Sequence, residues 1–420
     1  MVFSCNYNSL ITHLQDIANI VEDPLAAEDD KSIVFIFSKT DMGNKVKLVG
    51  VSPVITFRRS LNEGDYTLTL DDEELDEKGE KLIIIKSKEL LGFLNSYKSL
   101  RKTKVDELIF ETVRNKVKCT VIESRAFTKE ELDKINSDLE WNPDMPDPRN
   151  EHFHSSWMFD TVKVLPKKLP YIYLPVPDVE LEHESDKGEF EFISRSMIPI
   201  VENATTLYGH MTFDEKYIVS YNSAFTAIMF NIIPGDTFKG IRLNYRTLSF
   251  INKIISSEED IRFTKTDKHI YFKTNKSEAY IKYDTKLAPY ETQLKLYNNE
   301  HMVSVDRLYI KDILKRFSLL HDVIEVTIDS ENSIIKMVNS KFSQEVPILF
   351  QKNFEEIGTI HFTITPENLD KAIIGDDSVF SNDSDSHDGE TFIYYNKERS
   401  VICFGDCTKV WFTVLSVDVY

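Results

Sequence analysis

Three stretches of the 420-residue sequence place chemically capable side chains close together. The first is His152-Phe-His154, with His183 further on, where two imidazoles could begin a zinc site. No third ligand stands at zinc spacing, and paired histidines in a proline-rich loop read as solvated. The second, Asp383-Ser-Asp385-Ser-His387-Asp388-Gly389, has the acidic character of a calcium loop. Its third acid and its glycine each come one residue late and no glutamate closes it, so it too reads as a solvated loop. The third is VDRLYIKDILKRFSLL, from Val305 to Leu320. Here Arg307, Lys311 and Lys315 recur every four residues. On a helix they form a slowly drifting positive stripe beside the apolar positions Leu308, Tyr309, Ile310, Ile313, Leu314 and Phe317. Such a stripe can attract phosphate, or be no more than the few lysines that any surface helix carries. No GxxxxGK, GxGxxG, GxSxG or HExxH pattern occurs, so nucleotide, ester and zinc-peptidase chemistry lack support. The expectation is a protein with no catalytic residues, no metal and no cofactor.

Hydrophobic residues make up 41% of the chain and aromatic residues 11%, enough to build cores for two to three domains. A formal net charge of −19 argues against a surface that grips nucleic acid all over, and leaves room for local basic stripes on an acidic body. There is no long apolar run and no charged-then-apolar leader, so neither a membrane span nor a secretory signal is expected. Cys5, Cys119, Cys403 and Cys407 contain no CxxC pair, which fits a reducing, cytoplasmic compartment.

The positive stripe is followed directly by two alternating runs around the turn Asp329-Ser330-Glu331-Asn332, the pattern of a β-hairpin. This helix-then-hairpin unit recurs. A helix over Ser9 to Val21, with Leu10, Leu14, Ile17 and Val21 on one face, precedes alternating runs at Ser32 to Ser38 and Lys45 to Val51. A helix over Ser87 to Lys98, with Ser87 as N-cap, precedes the hairpin of Asp106 to Val121. In a third, Pro199 fits only the first turn, so the helix should start at Ser194 to Ser196, before the hairpin of Leu207 to Asn222. Asn244 caps a fourth, running to Ser256 before Asp260 to Thr274. Thr365 caps the last, with Pro366 at its first position and an end near Ile374, before Thr391 to Phe404. Residues 125–157 read as a surface insertion and Pro175 to Gly188 as a linker.

The units therefore pair into three domains, 1–178, 189–290 and 300–420. A helix with one apolar face in a strand-rich chain can bury that face only against a sheet. The fold class is α+β, with two helices side by side on antiparallel sheet in each repeated domain.

In this architecture the chain resembles the DNA polymerase sliding clamps, specifically the bacterial type with three domains per subunit. The resemblance rests on the six units, on Met197-Ile-Pro-Ile-Val-Glu-Asn-Ala-Thr205, on Tyr217-Ile-Val-Ser-Tyr-Asn-Ser-Ala-Phe225 and on the Val305 helix. It implies a ring closed head-to-tail, helices inside and sheets outside, that encircles duplex DNA without reading sequence. It also implies a DNA polymerase and an ATP-dependent clamp loader as partners, and, with three domains per chain, a homodimer. The DNA-facing candidates it implies are Lys88, Lys98, Lys102, Arg246, Lys253, Arg307, Lys311 and Lys315, with Arg195 and Lys371 as weaker ones. The partner pocket it implies lies between the second and third domains, at Asn222, Ser223, Ala224 and Phe225 together with Leu415, Val417, Val419 and Tyr420. Bacterial members usually carry a Gly-His-Arg-like turn at the first set and a Met- and Pro-containing tail at the second, and this chain carries neither. Its apolar tail reads either as an anchor for a partner or as the end of a core. A structural repeat or virion protein is the second reading, separable because a shell protein polymerises whereas a clamp forms a small closed ring.

Overall fold

The computed structural model describes residues 1–22, 31–41, 43–98, 103–131, 152–162, 187–201, 209–222, 224–233, 236–257, 262–287, 289–297, 300–320, 322–373, 389–405 and 411–415, and short pieces at 26, 172–173, 177, 183–184 and 418–419. The chain divides into two compact units, Met1–Glu180 with His269–Ile281, and Leu181–Lys268 with Lys282–Tyr420.

In the first unit β1 (Val2–Asn6) runs into α1 (Tyr7–Val21), and the turn is fixed by Asn6, whose side-chain oxygen accepts from the N–H groups of Asn8 and Ser9. There follow β2 (Ser32–Thr40), β3 (Gly43–Val51), β4 (Ile55–Ser60), β5 (Tyr66–Thr69), β6 (Glu80–Lys86), α2 (Ser87–Ser96), β7 (Thr103–Val113), β8 (Lys116–Arg125) and β9 (His152–Asp160). The second unit opens with β10 (His183–Glu184) and α3 (Lys187–Val201), then β11 (His210–Phe213), β12 (Tyr217–Tyr221), β13 (Phe225–Phe230), β14 (Ile241–Asn244), α4 (Tyr245–Ser257) and β15 (Arg262–Lys265). Strand β16 (His269–Lys273) and nearly all of β17 (Ser277–Lys282) belong to the first unit. After a single helical turn at Glu291–Leu294 come β18 (His301–Asp306), α5 (Arg307–Ser318), β19 (Ile324–Asp329), β20 (Ile334–Val338), β21 (Ser343–Pro347), β22 (Phe350–Lys352), β23 (Thr359–Ile364), α6 (Pro366–Ala372), β24 (Glu390–Asn396), β25 (Val401–Gly405) and β26 (Trp411–Leu415).

The first unit holds an antiparallel sheet in the order β5-β1-β7-β8-β9 and a second run β16-β17-β4-β3-β2-β6. Both helices pack on this strand material. Leu10, Leu14, Ile17 and Val21 of α1 are buried as their spacing predicts. Beneath lie the rings of Phe3, Phe35, Phe37 and Phe110, with centroids 5.3 to 6.1 Å apart. Burying one such side chain contributes about 1.5–3 kcal/mol. Helix α1 sits so close to β3 that a Cβ at Gly50 would meet Ile17 Cγ2 at 2.8 Å. The second unit holds a nine-stranded sheet, β14-β11-β12-β13-β26-β25-β24-β18-β22, and a four-stranded one, β21-β20-β19-β23. Its helices pack in pairs, α3 with α4 and α5 with α6.

Several expectations are corrected. Ser87 is the first residue inside α2 rather than its cap; Lys86 holds the cap position and makes no side-chain cap bond. Pro199 lies two residues before the end of α3, where the N–H it lacks costs one bond to the carbonyl four residues back and the helix stops soon after. That helix consequently starts at Lys187, inside the stretch read as a linker, which also contains β10. Arg125 ends β8 and residues 152–157 belong to β9, so the insertion is shorter than 125–157 at both ends. His152 and His154 thus stand on an edge strand instead of a loop, and no metal-competent cluster of three ligands exists among the described residues. The stretch 383–388 lies outside the described residues.

Candidate nucleic-acid interface and partner pocket

Helix α5 begins where Asp306 accepts from the Tyr309 N–H at 2.8 Å, and it buries Ile310, Ile313, Leu314 and Phe317. Its basic residues lie off that face. Arg307 and Lys311 are half-buried, while Lys315 and Arg316 are exposed. Asp312 pairs with Lys315 at 2.9 Å and raises the affinity of that amine for its proton through a hydrogen bond and charge. Leu308 and Tyr309, placed in the core by spacing alone, are 55% and 41% exposed. They sit in the first turn of the helix. Lys88 is exposed on α2 and Lys98 is exposed just past its end; Lys102 lies outside the described residues. On α4, Asn244 takes the cap position as expected, accepting from the Arg246 N–H at 3.0 Å. Arg246 Nε donates to the Tyr245 hydroxyl at 3.1 Å, and Lys253 is exposed. The weaker candidates are tied within their own helices, Arg195 to Glu191 at 3.8 Å and Lys371 to Glu367 at 2.8 Å. Sequence reading missed Lys31 and Lys86, which with Lys88 and Glu89 line an open cleft at the start of α2.

Two of the residues assigned to the pocket are brought together. Strand β13 pairs antiparallel with β26, setting Phe225 opposite Leu415, and both are buried. They can therefore form only the floor of a site. Asn222 Oδ1 accepts from the N–H groups of Ala224 and Phe225, shaping the turn, and its amide reaches Asn368 of α6 at 3.5 Å. Half-buried Val419 bridges to Phe362 on β23, so the tail returns to the strand that leads into α6. Ser223, Val417 and Tyr420 lie outside the described residues.

A pairing rule connects the domain-sized repeats. Each hairpin is followed by a third strand: β4, β9, β13, β17, β21 and β26. Strand β17 pairs antiparallel with β4, Ala279 opposite Phe57, and β26 pairs antiparallel with β13, Thr413 opposite Ala227. In both cases the first third-strand of one repeat meets the second third-strand of the next. The two left over, β21 and β9, are sheet edges among the described residues.

No protein-family model matches the sequence, and neither does any curated protein. Solved structures match from end to end. The beta subunit from DNA polymerase of Streptococcus pyogenes superposes with TM-score 0.66 at 12% identity, over 100% of each chain. This is the sliding-clamp fold. The DNA polymerase sliding clamp from Bacillus subtilis gives TM-score 0.66 at 13% identity, over 100% of this chain and 99% of that one. The Helicobacter pylori beta clamp, solved with a DNA ligase peptide, gives 0.62 at 15%, over 100% of both. The chain thus shares the fold of these clamps at 12 to 15% identity. In this chain the junctions β4·β17 and β13·β26 are set by backbone pairing.

Proposed function

We propose that this chain is a DNA polymerase processivity factor: copies close head-to-tail into a ring around duplex DNA and tether the polymerase. The carrying observation is the pairing rule. Applied once more it joins β21 of one copy to β9 of the next, so repetition ends only when a ring closes. Apolar side chains suit these edges to a protein partner: Phe153 and Trp157 on β9 are 43% and 49% exposed, and Leu308 and Tyr309 stand beside β21. The division into domains 1–178, 189–290 and 300–420 is part of this reading, and two such chains supply six domains. Lys88, Lys98, Lys102, Arg246, Lys253, Arg307, Lys311 and Lys315 then contact phosphates and not bases, as sliding requires. The floor of Phe225 and Leu415, with Asn222, Val419 and the neighbouring residues, takes a peptide from the polymerase or loader. Likeness to a clamp solved with a ligase peptide supports that use of the site. No chemical step is assigned to the chain; it acts as a tether where DNA is replicated.

The test is topological. Loaded onto DNA, the protein should remain on nicked circles and slide off linear duplex with free ends. Equal retention on both would show ordinary binding and overturn the proposal.

A further inference from the structure

We infer that the seam between copies has a fixed register, in which Trp157 of one copy stands opposite Gln344 of the next and anchors their contact. This register rests on the ring reading above and adds to it which residues meet.

On the β21 side a repeated turn supplies the position. Before β4, β13, β17 and β21 a single side chain caps the turn: Ser52, Asn222, Thr274 and Asn339. In each, the side-chain oxygen accepts from the N–H groups two and three residues on, and the residue's own N–H donates to the carbonyl three residues on. The turn fixes where the strand begins, and both internal junctions are centred on the fifth residue after it. Phe57 and Ala279, five after Ser52 and Thr274, stand opposite each other, and Ala227, five after Asn222, stands opposite Thr413. The same step from Asn339 ends on Gln344.

On the β9 side the position follows from the helix that opens the repeat. In the last repeat Val303, four residues before α5 begins at Arg307, pairs with Ile393, Ile393 with Phe404, and Phe404 with Thr413, the centre of its junction. In the first repeat the same row starts at Phe3, four residues before α1 begins at Tyr7, passes through Phe110 and Cys119, and ends on Trp157. The faces agree. Trp157 lies on the side of β9 that α2 covers, its ring 5.8 Å from that of Phe93. Gln344 lies on the side of β21 that α5 covers, donating to the Tyr309 hydroxyl at 3.4 Å. A slip of one residue would turn one of these two sets of side chains to the wrong face. At this register the half-exposed indole comes down beside Gln344 and the exposed Tyr309 ring, at the middle of the ladder, where a Trp contributes most to an interface.

The test is a cysteine scan of the full chain. At this register Ser156 stands opposite Glu345, so Ser156→Cys with Glu345→Cys sets Cα atoms about 5 Å apart across the seam, within disulfide range. His154→Cys or Met158→Cys with Glu345→Cys leaves them about 8 Å apart, beyond that range. All four positions are exposed, while Cys5, Cys119 and Cys403 are buried. Under mild oxidation only the first pair should give a covalent dimer above the wild-type background. These pairs keep Trp157 in place, so the register is read separately from its energetic weight. In sedimentation, Trp157→Ala should raise the dimer Kd more than about tenfold, and Phe153→Ala, four residues off centre, less than about threefold. Bridging by a shifted pair, bridging by no pair in a chain that dimerises, or equal losses at Trp157 and Phe153 would overturn this inference and leave the ring reading standing. A chain monomeric under every condition overturns the ring reading and this with it.

Discussion

At Gly50 the absence of a side chain sets how closely α1 approaches β3. A Cβ there meets Ile17 Cγ2 at 2.8 Å and the Ile17 carbonyl at 3.2 Å, so Gly50→Ala should cost about 1–3 kcal/mol, read as a lower Tm. An unchanged Tm would mean that α1 can ride up without loss. Two titratable groups on the same unit make it acid-sensitive. Burial, with the Arg59 guanidinium nearby, lowers His13 from 6.5 to about 4. The folded chain refuses a proton that the unfolded chain accepts, so stability complete above pH 6.5 declines as pH falls to about 4. Burial alone would raise Glu74, but hydrogen bonds from Lys81 and the Met1 amine overcome it and hold the acid at about 2, against 4.5 unfolded. Its contribution is present above pH 4.5 and is lost as pH falls to about 2. His13→Gln should flatten the upper part of the acid profile, removing about 1–3 kcal/mol of pH-dependent stability between pH 6.5 and 4 in denaturant titrations.

Elements were legible where one period governs them. The helices α1, α2 and α4 to α6 and their hairpins follow from alternation at 3.6 and 2 residues, and the caps at Asn244 and Thr365 from their side chains. The errors arise where local pattern and tertiary context part. Leu308 and Tyr309 fit the apolar face of α5 by angle, but both are left exposed in its first turn. Strand β9, HFHSSWMFD, shows no alternation because as an edge it is exposed on both faces. That β17 pairs with β4 could not be seen at all, since pattern marks a strand without naming a distant partner. Leu308→Glu should leave the Tm of the chain nearly unchanged while raising the dimer Kd more than about tenfold, a loss of about 1.4 kcal/mol or more. Unaltered dimerisation would remove α5 from the seam. Reversing Arg307, Lys311 and Lys315 to Glu should preserve folding yet shorten retention on circular DNA. It should also reduce the salt slope by about 0.9 for each phosphate that is no longer neutralised. Unfolding of that variant would mean that the stripe is packed.

At the scale of the whole molecule, a net charge of −19 leaves room for DNA binding only where cations gather locally, as the four of α5 do. Deleting Val419 and Tyr420 should leave dimerisation intact and abolish polymerase stimulation, because Val419 reaches β23 through one isolated bridge and not a full ladder. Full stimulation by the shortened chain would take the peptide site elsewhere. The junctions β4·β17 and β13·β26 are formed by strands of one polypeptide, so their partners meet at an effective concentration fixed by the chain, on the order of millimolar for short connections. The β21 and β9 edges have no such link and meet only as often as two molecules do. In the proposed ring, dilution should therefore act selectively: copies should separate at β21 and β9 while every internal junction stays closed, and returning to the original concentration should restore the ring without any refolding.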